Sequence, residues 1–385
     1  RPDYHAMEGR RWDDLLSAFA GSGEKINRIH LPCYNEGCGK DYYYDFNTVS
    51  MAVRAFCSED TVILPETENG SANFYRKSPR FLRFQVESAI PLVLDGMTYS
   101  IYDFVGNGVS EESGYAREIA GLTPYLQTVE DLELEFSALC GVKVPIDEAC
   151  AYHKPIRKDY YDLISDSFKV GGYMSAQGVS YAYTKEKAIG GEIVALIGDA
   201  VYDFTDGELI RLFENNYVVT DGYAVSVLCE RGLGRLTKAK SVKFVKAEST
   251  LISYEEAADG VIIEGKPRIR ASLRENAGDF YDIEYENGVS VKTNALDNLS
   301  RVKANGIAEG DSFIVLPYDM RKRKYGQFCE IRRVLLTEFI KKHGKNIAIS
   351  AHAGISLYLY KRKNDFVLMV VNANTDDFDK TCFHT

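Results

Sequence analysis

The feature that most constrains this chain is an alternation of short extended runs with helix-period segments in its first part. Arg28-Ile-His-Leu-Pro32, Thr61-Val-Ile-Leu64 and Gly96 to Tyr102 read as strands. Between them, Thr48 to Phe56 places Val49, Ala52, Val53 and Phe56 on one helical face. Ser78 to Leu94 opens with a capping serine and a proline at the first helical position. An earlier helix over Arg11 to Phe19 carries Trp12, Leu15, Leu16 and Phe19 at helical spacing and stops at Gly21. Strand, helix, strand, helix at intervals of about 30–35 residues is the pattern of a parallel sheet, because parallel neighbours need a crossover connection.

Polar residues gather directly after each strand: Tyr34, Asn35 and Glu36, then Glu66, Glu68 and Asn69, then Asp103 and Asn107. Barrels and doubly wound sheets both bind ligands at the C-terminal ends of parallel strands, so position alone does not choose between them. It does place any chemistry on these loops.

A helical connector is expected over Val129 to Leu139, and then a second alternating block. Tyr160 to Phe168 reads as a helix, Glu192 to Ile197 as a strand, and Thr205 to Asn215 as a helix capped by Thr205. Tyr217 to Thr220 is a strand, and Tyr223 to Glu230 a helix closed by Gly232. This is the pattern of a flavodoxin-type α/β domain. Short strands follow from about Lys240, with Glu286-Asn-Gly288 as a hairpin signal. Ser312 to Leu316 and Cys329 to Lys342 return to the α/β sheet, so residues near 245–305 form a β excursion from it. Ile355 to Tyr360 and Phe366 to Val371, around Asn364-Asp365, make a hairpin that opens a β-sandwich.

At 385 residues, two or three domains are expected. A formal net charge of −10 argues against a nucleic-acid surface, and the short basic runs Arg321 to Lys324 and Lys361 to Lys363 read as solvated turns. No stretch reaches the ~18–20 apolar residues of a membrane span. The eight Cys are scattered, and only Cys33 and Cys38 lie close, with no second pair or His cluster to complete a metal site. Reduced thiols in a cytoplasmic protein, with no metal and no cofactor, are the expectation. The chain opens on Arg1-Pro2 and stops at Thr385 just after a strand-like run, so both ends read as cut.

Glu66 and Glu68 stand two apart on a strand, so both side chains point to one face. Carboxylates this close repel, which favours keeping one protonated. Retaining glycoside cleavage uses two carboxyl groups about 5–5.5 Å apart that flank the bond. Neighbours on one strand do not flank a bond from opposite sides, which suits one nucleophile and one binding residue. A solvated acidic loop is the alternative.

Glu66-Thr-Glu-Asn-Gly-Ser-Ala-Asn73-Phe74 resembles the seventh-strand motif of family 42 β-galactosidases, a Glu followed by Gly, Asn and an aromatic at four, seven and eight positions on. Glu66, Gly70, Asn73 and Phe74 fall on those places, while Thr67, Asn69 and Phe74 depart from the family's Gln, Pro and Trp. Arg83-Phe-Gln85, Ala89 and Asp95 to Tyr102 are similar to the stretch that follows it. The resemblance implies a divergent relative and an α/β chain. Residues 1–125 would be the C-terminal half of a (β/α)8 barrel and 126–150 a connector. Residues 151–345 would form a flavodoxin- or glutamine-amidotransferase-like domain, and 346–385 the start of a β-sandwich.

The implied function is a retaining glycoside hydrolase acting on a β-linked sugar, a β-galactoside by resemblance. Glu66 would be its nucleophile, with the acid/base in an N-terminal part outside this chain. Glu68, Asn69, Glu36, Tyr34, Asn73, Phe74, Tyr102 and Asp103 would bind the carbohydrate, with His30 on the rim and the Tyr42 to Tyr44 run as stacking aromatics. The amidotransferase-like turn Val219-Thr-Asp-Gly222 lacks a Cys, so that domain is expected to be structural. It would hold copies of the chain together, a trimer among the options. Two other readings stay open. One is a non-catalytic carbohydrate-binding or assembly protein. The other is a glycoside phosphorylase, with Arg76, Lys77, Arg80 and Arg83 as phosphate candidates that otherwise form a solvated helix face.

Overall fold

The computed structural model of the chain describes residues 9–29, 31, 39–68, 77–101, 114–156, 163, 165, 167–246, 252–272, 279–320, 329–374 and 382–384. Helix α1 (Trp12–Ala20) leads into β1 (Ile26–Asn27) and α2 (Gly39–Phe56). Then come β2 (Val62–Ile63), β3 (Glu66–Glu68), α3 (Pro79–Ala89), β4 (Thr98–Ser100) and α4 (Tyr115–Glu130). β1 pairs in parallel with β2, and β3 in parallel with β4. Pro65 has no N–H to give and separates β2 from β3. The run is continuous all the same: Leu64 N donates to Asn27 O at 3.0 Å, and Glu66 N to Ile29 O at 3.0 Å. Three successive extended runs therefore lie side by side in one direction.

Both helices expected between them form, though α2 begins at Gly39, well before the expected Thr48. Val49, Ala52, Val53 and Phe56 are all buried on α2, each worth about 1.5–3 kcal/mol for the larger side chains. Ser78 caps α3 by accepting from Phe81 N at 3.2 Å, and Pro79 takes the first helical position. On α1 Leu16 is buried but Phe19 stands 83% exposed, so only part of the expected apolar face packs. The helix expected at Val129 to Leu139 lies upstream, as α4. Its C-cap is Asp131, and Glu133 takes a positive φ of 48° that turns the chain away.

The second region begins with β5 (Leu139–Cys140), β6 (Val142–Pro145), α5 (Cys150–His153), α6 (Val170–Ala176) and β7 (Tyr181–Thr184). After these come β8 (Ile193–Leu196), a 3-10 segment at Gly198–Asp203, α7 (Asp206–Asn215), β9 (Tyr217–Asp221) and α8 (Gly222–Glu230). Five strands, β6, β7, β8, β9 and β20 (Phe313–Leu316), make the parallel part of a seven-stranded sheet. In space they run second, first, third, fourth, fifth by chain order, the order of doubly wound flavodoxin-like sheets. β8 and β20 are buried throughout, as continuous apolar runs are when both faces of a sheet are covered. Thr205 and Glu208 form a reciprocal capping box at the start of α7, the helix start expected from Thr205.

Between β9 and β20 the chain leaves this sheet. β10 (Ala239–Val245) pairs with β15 (Phe280–Tyr285). β11 (Ile252–Ala257), β14 (Arg270–Ser272), β17 (Thr293–Asp297) and β18 (Val302–Asn305) form a four-stranded antiparallel sheet, and β12 (Ile262–Ile263) and β13 (Lys266–Pro267) a small pair. Gly288 does turn, at φ 89°, but the hairpin expected there does not form. β16 (Ser290–Val291) pairs with β19 (Ala308–Glu309), and both extend the seven-stranded sheet antiparallel. The turn residues set the local bend, whereas partners for the flanking strands come from further along the chain. Helix α9 (Glu330–His343) returns to the sheet. It anchors the excursion through Arg332, whose Nε donates to Glu255 at 2.6 Å with both side chains buried.

The chain ends with β21 (Ile349–Ser350), β22 (Ile355–Lys361), β23 (Phe366–Asn372) and β24 (Phe383–His384). β22 and β23 form the expected hairpin about Asn364-Asp365, and β22 also pairs with β5. This sheet braces the first region. Asn47 Nδ2 donates to Tyr358 Oη at 2.6 Å, the Tyr43 and Tyr358 hydroxyls meet at 3.1 Å, and Tyr360 donates to the Pro91 carbonyl. No described helix is long and apolar enough to cross a membrane.

Candidate functional site

Glu66 opens β3, the last stretch of the middle of the three parallel runs, with its residue 6% exposed. Alternation sends Thr67 to the other face, where its hydroxyl meets Met97 Sδ at 3.0 Å. Glu66 and half-buried Glu68 therefore share the opposite face. Across from Glu66, Arg28 follows β1, and its Nη1 donates to Glu66 Oε1 at 2.7 Å. Arg28 is 56% exposed while the Glu66 side chain is 8% exposed, so this pair reaches from solvent into the strand end. A charge-assisted bond of this length fixes where the carboxylate points.

Behind the strand end sits Lys77, 1% exposed. Its ammonium donates to the Glu68 carbonyl and to Gln85 Oε1, and its own carbonyl accepts from Tyr115 Oη. The reading of Lys77 as part of a solvated basic face is thus corrected: it is a buried clamp between β3 and α3. Burying an ammonium is tolerable only when its protons are taken up this way. Arg80 is exposed, and Arg83 pairs with Glu87 at 2.8 Å along α3. The stacking role for the tyrosine run is also corrected. Tyr43 and Tyr44 lie buried within α2, with rings 5.4 Å apart edge to face.

Of the residues expected at the site, Glu66 and Glu68 are brought together on one face. Asn69, Glu36, Tyr34, Asn73, Phe74, Tyr102 and Asp103 lie outside the described residues, as do His30, Arg76 and the side chain of Tyr42. Sequence reasoning missed Arg28. Its signal was present as a single cation directly after one strand and beside the strand that carries the glutamates.

The second strand-end acid is Asp221, at the C-terminus of β9. Its Oδ1 accepts from Gly198 N and Ala224 N at 2.9 Å each, and its Oδ2 from Met320 N at 3.0 Å. Burial, with the nearby Asp319, pushes this carboxyl up to about 7 against the pull of the three amides. The carboxylate lies in the Val219 to Gly222 turn, which carries no Cys. Its lone pairs are spent on tying together the chain after β8, the start of α8 and the chain after β20. Cys229 lies within α8, partly buried.

No protein-family model and no curated protein sequence matches the chain. Solved structures do. One is α-L-fucosidase isoenzyme 2 from Paenibacillus thiaminolyticus, with a TM-score of 0.58 and 10% identity over 95% of this chain and 56% of that one. Another is a catalytic mutant of a GH42 β-galactosidase from G. stearothermophilus, with a TM-score of 0.52 and 9% identity over 93% of this chain and 55% of that one. The chain spans a little over half the length of the structures it matches. What it shares with them is fold, a mixed α/β architecture with a parallel-rich sheet and smaller antiparallel sheets, resembling glycoside hydrolase structures.

Proposed function

We propose that this chain is part of a retaining glycoside hydrolase in which Glu66 is the nucleophile. The observation that carries the reading is the Glu66 carboxylate, buried at the end of a parallel strand and oriented by Arg28 at 2.7 Å, in a chain whose fold resembles two glycoside hydrolases along nearly all its length. In this reading the three parallel runs and their helices are the last strands of a (β/α)8 barrel. The central sheet is a flavodoxin-like domain that holds copies of the protein together.

The chemistry is a double displacement. A Glu66 oxygen attacks the anomeric carbon as the glycosidic C–O bond breaks, and the leaving oxygen takes a proton from a general acid in another part of the whole protein. Water then attacks the glycosyl ester, gives its proton to the same group and frees Glu66. Arg28 holds the attacking carboxylate in register, and Glu68, on the same face, is placed to accept sugar hydroxyls. The two similar structures are named for different sugars, so the galactoside expected from the sequence motif stands beside a fucoside.

The test uses the full-length protein with aryl β-galactoside and aryl α-L-fucoside in parallel. Glu66→Gln is expected to lower turnover of the accepted glycoside at least about 1,000-fold, as loss of a nucleophile does. A 2-fluoro glycoside should label the peptide that carries Glu66. Unchanged turnover, or label on Glu68, would remove Glu66 from this role. Sugar binding with no turnover of any glycoside by the unmodified protein would point to a binding module.

A further inference from the structure

Away from Glu66, a second set of chemistry-bearing side chains converges in the central sheet, at the C-terminal ends of its first and third strands. Asp147 follows β6, His153 closes α5, and Asp203 closes the 3-10 segment that follows β8. One ligand atom from each lies within 4.8 Å of the others. His153 Nδ1 and Asp203 Oδ1 are 3.0 Å apart, about the spacing of two adjacent ligands on one ion with bonds of about 2.0–2.2 Å.

The neighbouring charges are shared among the described residues as follows. Asp199 is already matched, by Lys154 at 2.7 Å and by the Ser165 hydroxyl at 2.8 Å. Asp147 Oδ1 accepts from Ala149 N at 2.8 Å, and its Oδ2 meets Lys187 at 3.0 Å. The Lys187 ammonium also donates to the Asp203 carbonyl. Asp203, with its side chain 4% exposed, meets His153 through its Oδ1.

The position is also informative. In doubly wound sheets the crevice at the switch in strand order is where ligands bind. Here β6 is flanked by β7 on one side and β8 on the other, so the loops after β6 and β8 border that switch. The donor set of one imidazole and two carboxylates suits zinc and related first-row ions, while calcium and magnesium prefer oxygen alone. Spacing along the sequence hid this set, because its members come from three elements and Asp203 is 50 residues from His153.

We propose that Asp147, His153 and Asp203 form a binding site for a divalent transition-metal ion of the zinc class at the switch point of the central sheet. Lys187 is the competing cation, one-third exposed, and gives up its contacts to Asp147 and the Asp203 carbonyl as the ion enters. Bound metal joins the loops after β6 and β8, with its remaining positions open to water or an anionic ligand.

The test is zinc titration of the chelator-treated chain by calorimetry. Cobalt is then bound in zinc's place and read by its visible ligand-field band. One ion per chain is expected, with a rise in Tm that grows with zinc. His153→Gln should weaken binding at least tenfold, Asp203→Asn likewise, and Lys187→Met should leave it equal or tighter. No stoichiometric binding by the unmodified chain would overturn the proposal. So would zinc affinity within twofold of wild type in a folded H153Q chain, or a near-ultraviolet thiolate-to-cobalt band placing the ion on cysteines. None of these readouts depends on Glu66 or on sugar hydrolysis, so the two assignments fail separately.

Discussion

Glu66 and Asp221 are both acids at the C-terminal end of a buried parallel strand, and they meet opposite fates. Asp221 is wholly buried and gives its oxygens to three backbone amides, so it closes the ends of its sheet. Glu66 is nearly as buried, yet Arg28, a side chain that reaches in from solvent, donates to it. The strand-end rule puts a carboxylate in the right place in both regions. What takes up the lone pairs differs: fixed amides lock a loop, whereas an exposed guanidinium can orient a carboxylate without sealing it, which is what the proposed role of Glu66 needs.

That contrast is breakable by exchange. Glu66→Gln should remove turnover, as set out above, with a Tm within a few degrees of wild type, while Asp221→Asn should leave turnover within about twofold in the same assay. Next in size, Asp221→Ala leaves three buried N–H groups without an acceptor and should cost about 3 kcal/mol, read as a Tm loss of several degrees. A Tm unchanged by that substitution would mean the strand ends are held by something else. Arg28→Met should lower kcat about tenfold with little change in KM, and Arg28→Lys should recover part of the loss, since orientation needs a donor at that distance. Equal activity in all three would reduce Arg28 to a surface ion pair.

The smallest effect is in pH. Burial, with Asp319 nearby, raises the folded pKa of Asp221 to about 7 from an ordinary value of 3.8. Its contribution is fully present below the unfolded value. It fades as pH rises from about 4 to 7, because the unfolded chain gives up the proton first. Thermal melts should therefore show a decline in Tm between pH 5 and 7 that is shallower in Asp221→Asn. An identical slope in the two proteins would break the assignment.

Much of the local structure was legible because its causes lie within a few residues. The Ser78-Pro79 start of α3, the Thr205 cap of α7, the buried face of α2 and the hairpin at Asn364-Asp365 each rest on neighbours three or four positions away, or on one turn. The failures have the opposite character. Gly288 makes its turn, but β15 and β16 find other partners. Tyr43 and Tyr44, which looked like ligand aromatics, are core because the C-terminal sheet brings Tyr358 to them from 315 residues away.

By itself, the sequence determined that parallel strands alternate with helices, where the capped helices start, at Ser78 and Thr205, and that two glutamates share one face of a strand. These follow from dihedral preference, capping and side-chain period, all of which act locally. Tertiary structure alone decided that Arg28 meets Glu66 across 38 residues, that Lys77 is a buried clamp, and that Asp147, His153 and Asp203 converge. Those outcomes depend on which strands become neighbours. That choice is made by burial summed over the whole core, and no short window of sequence contains it.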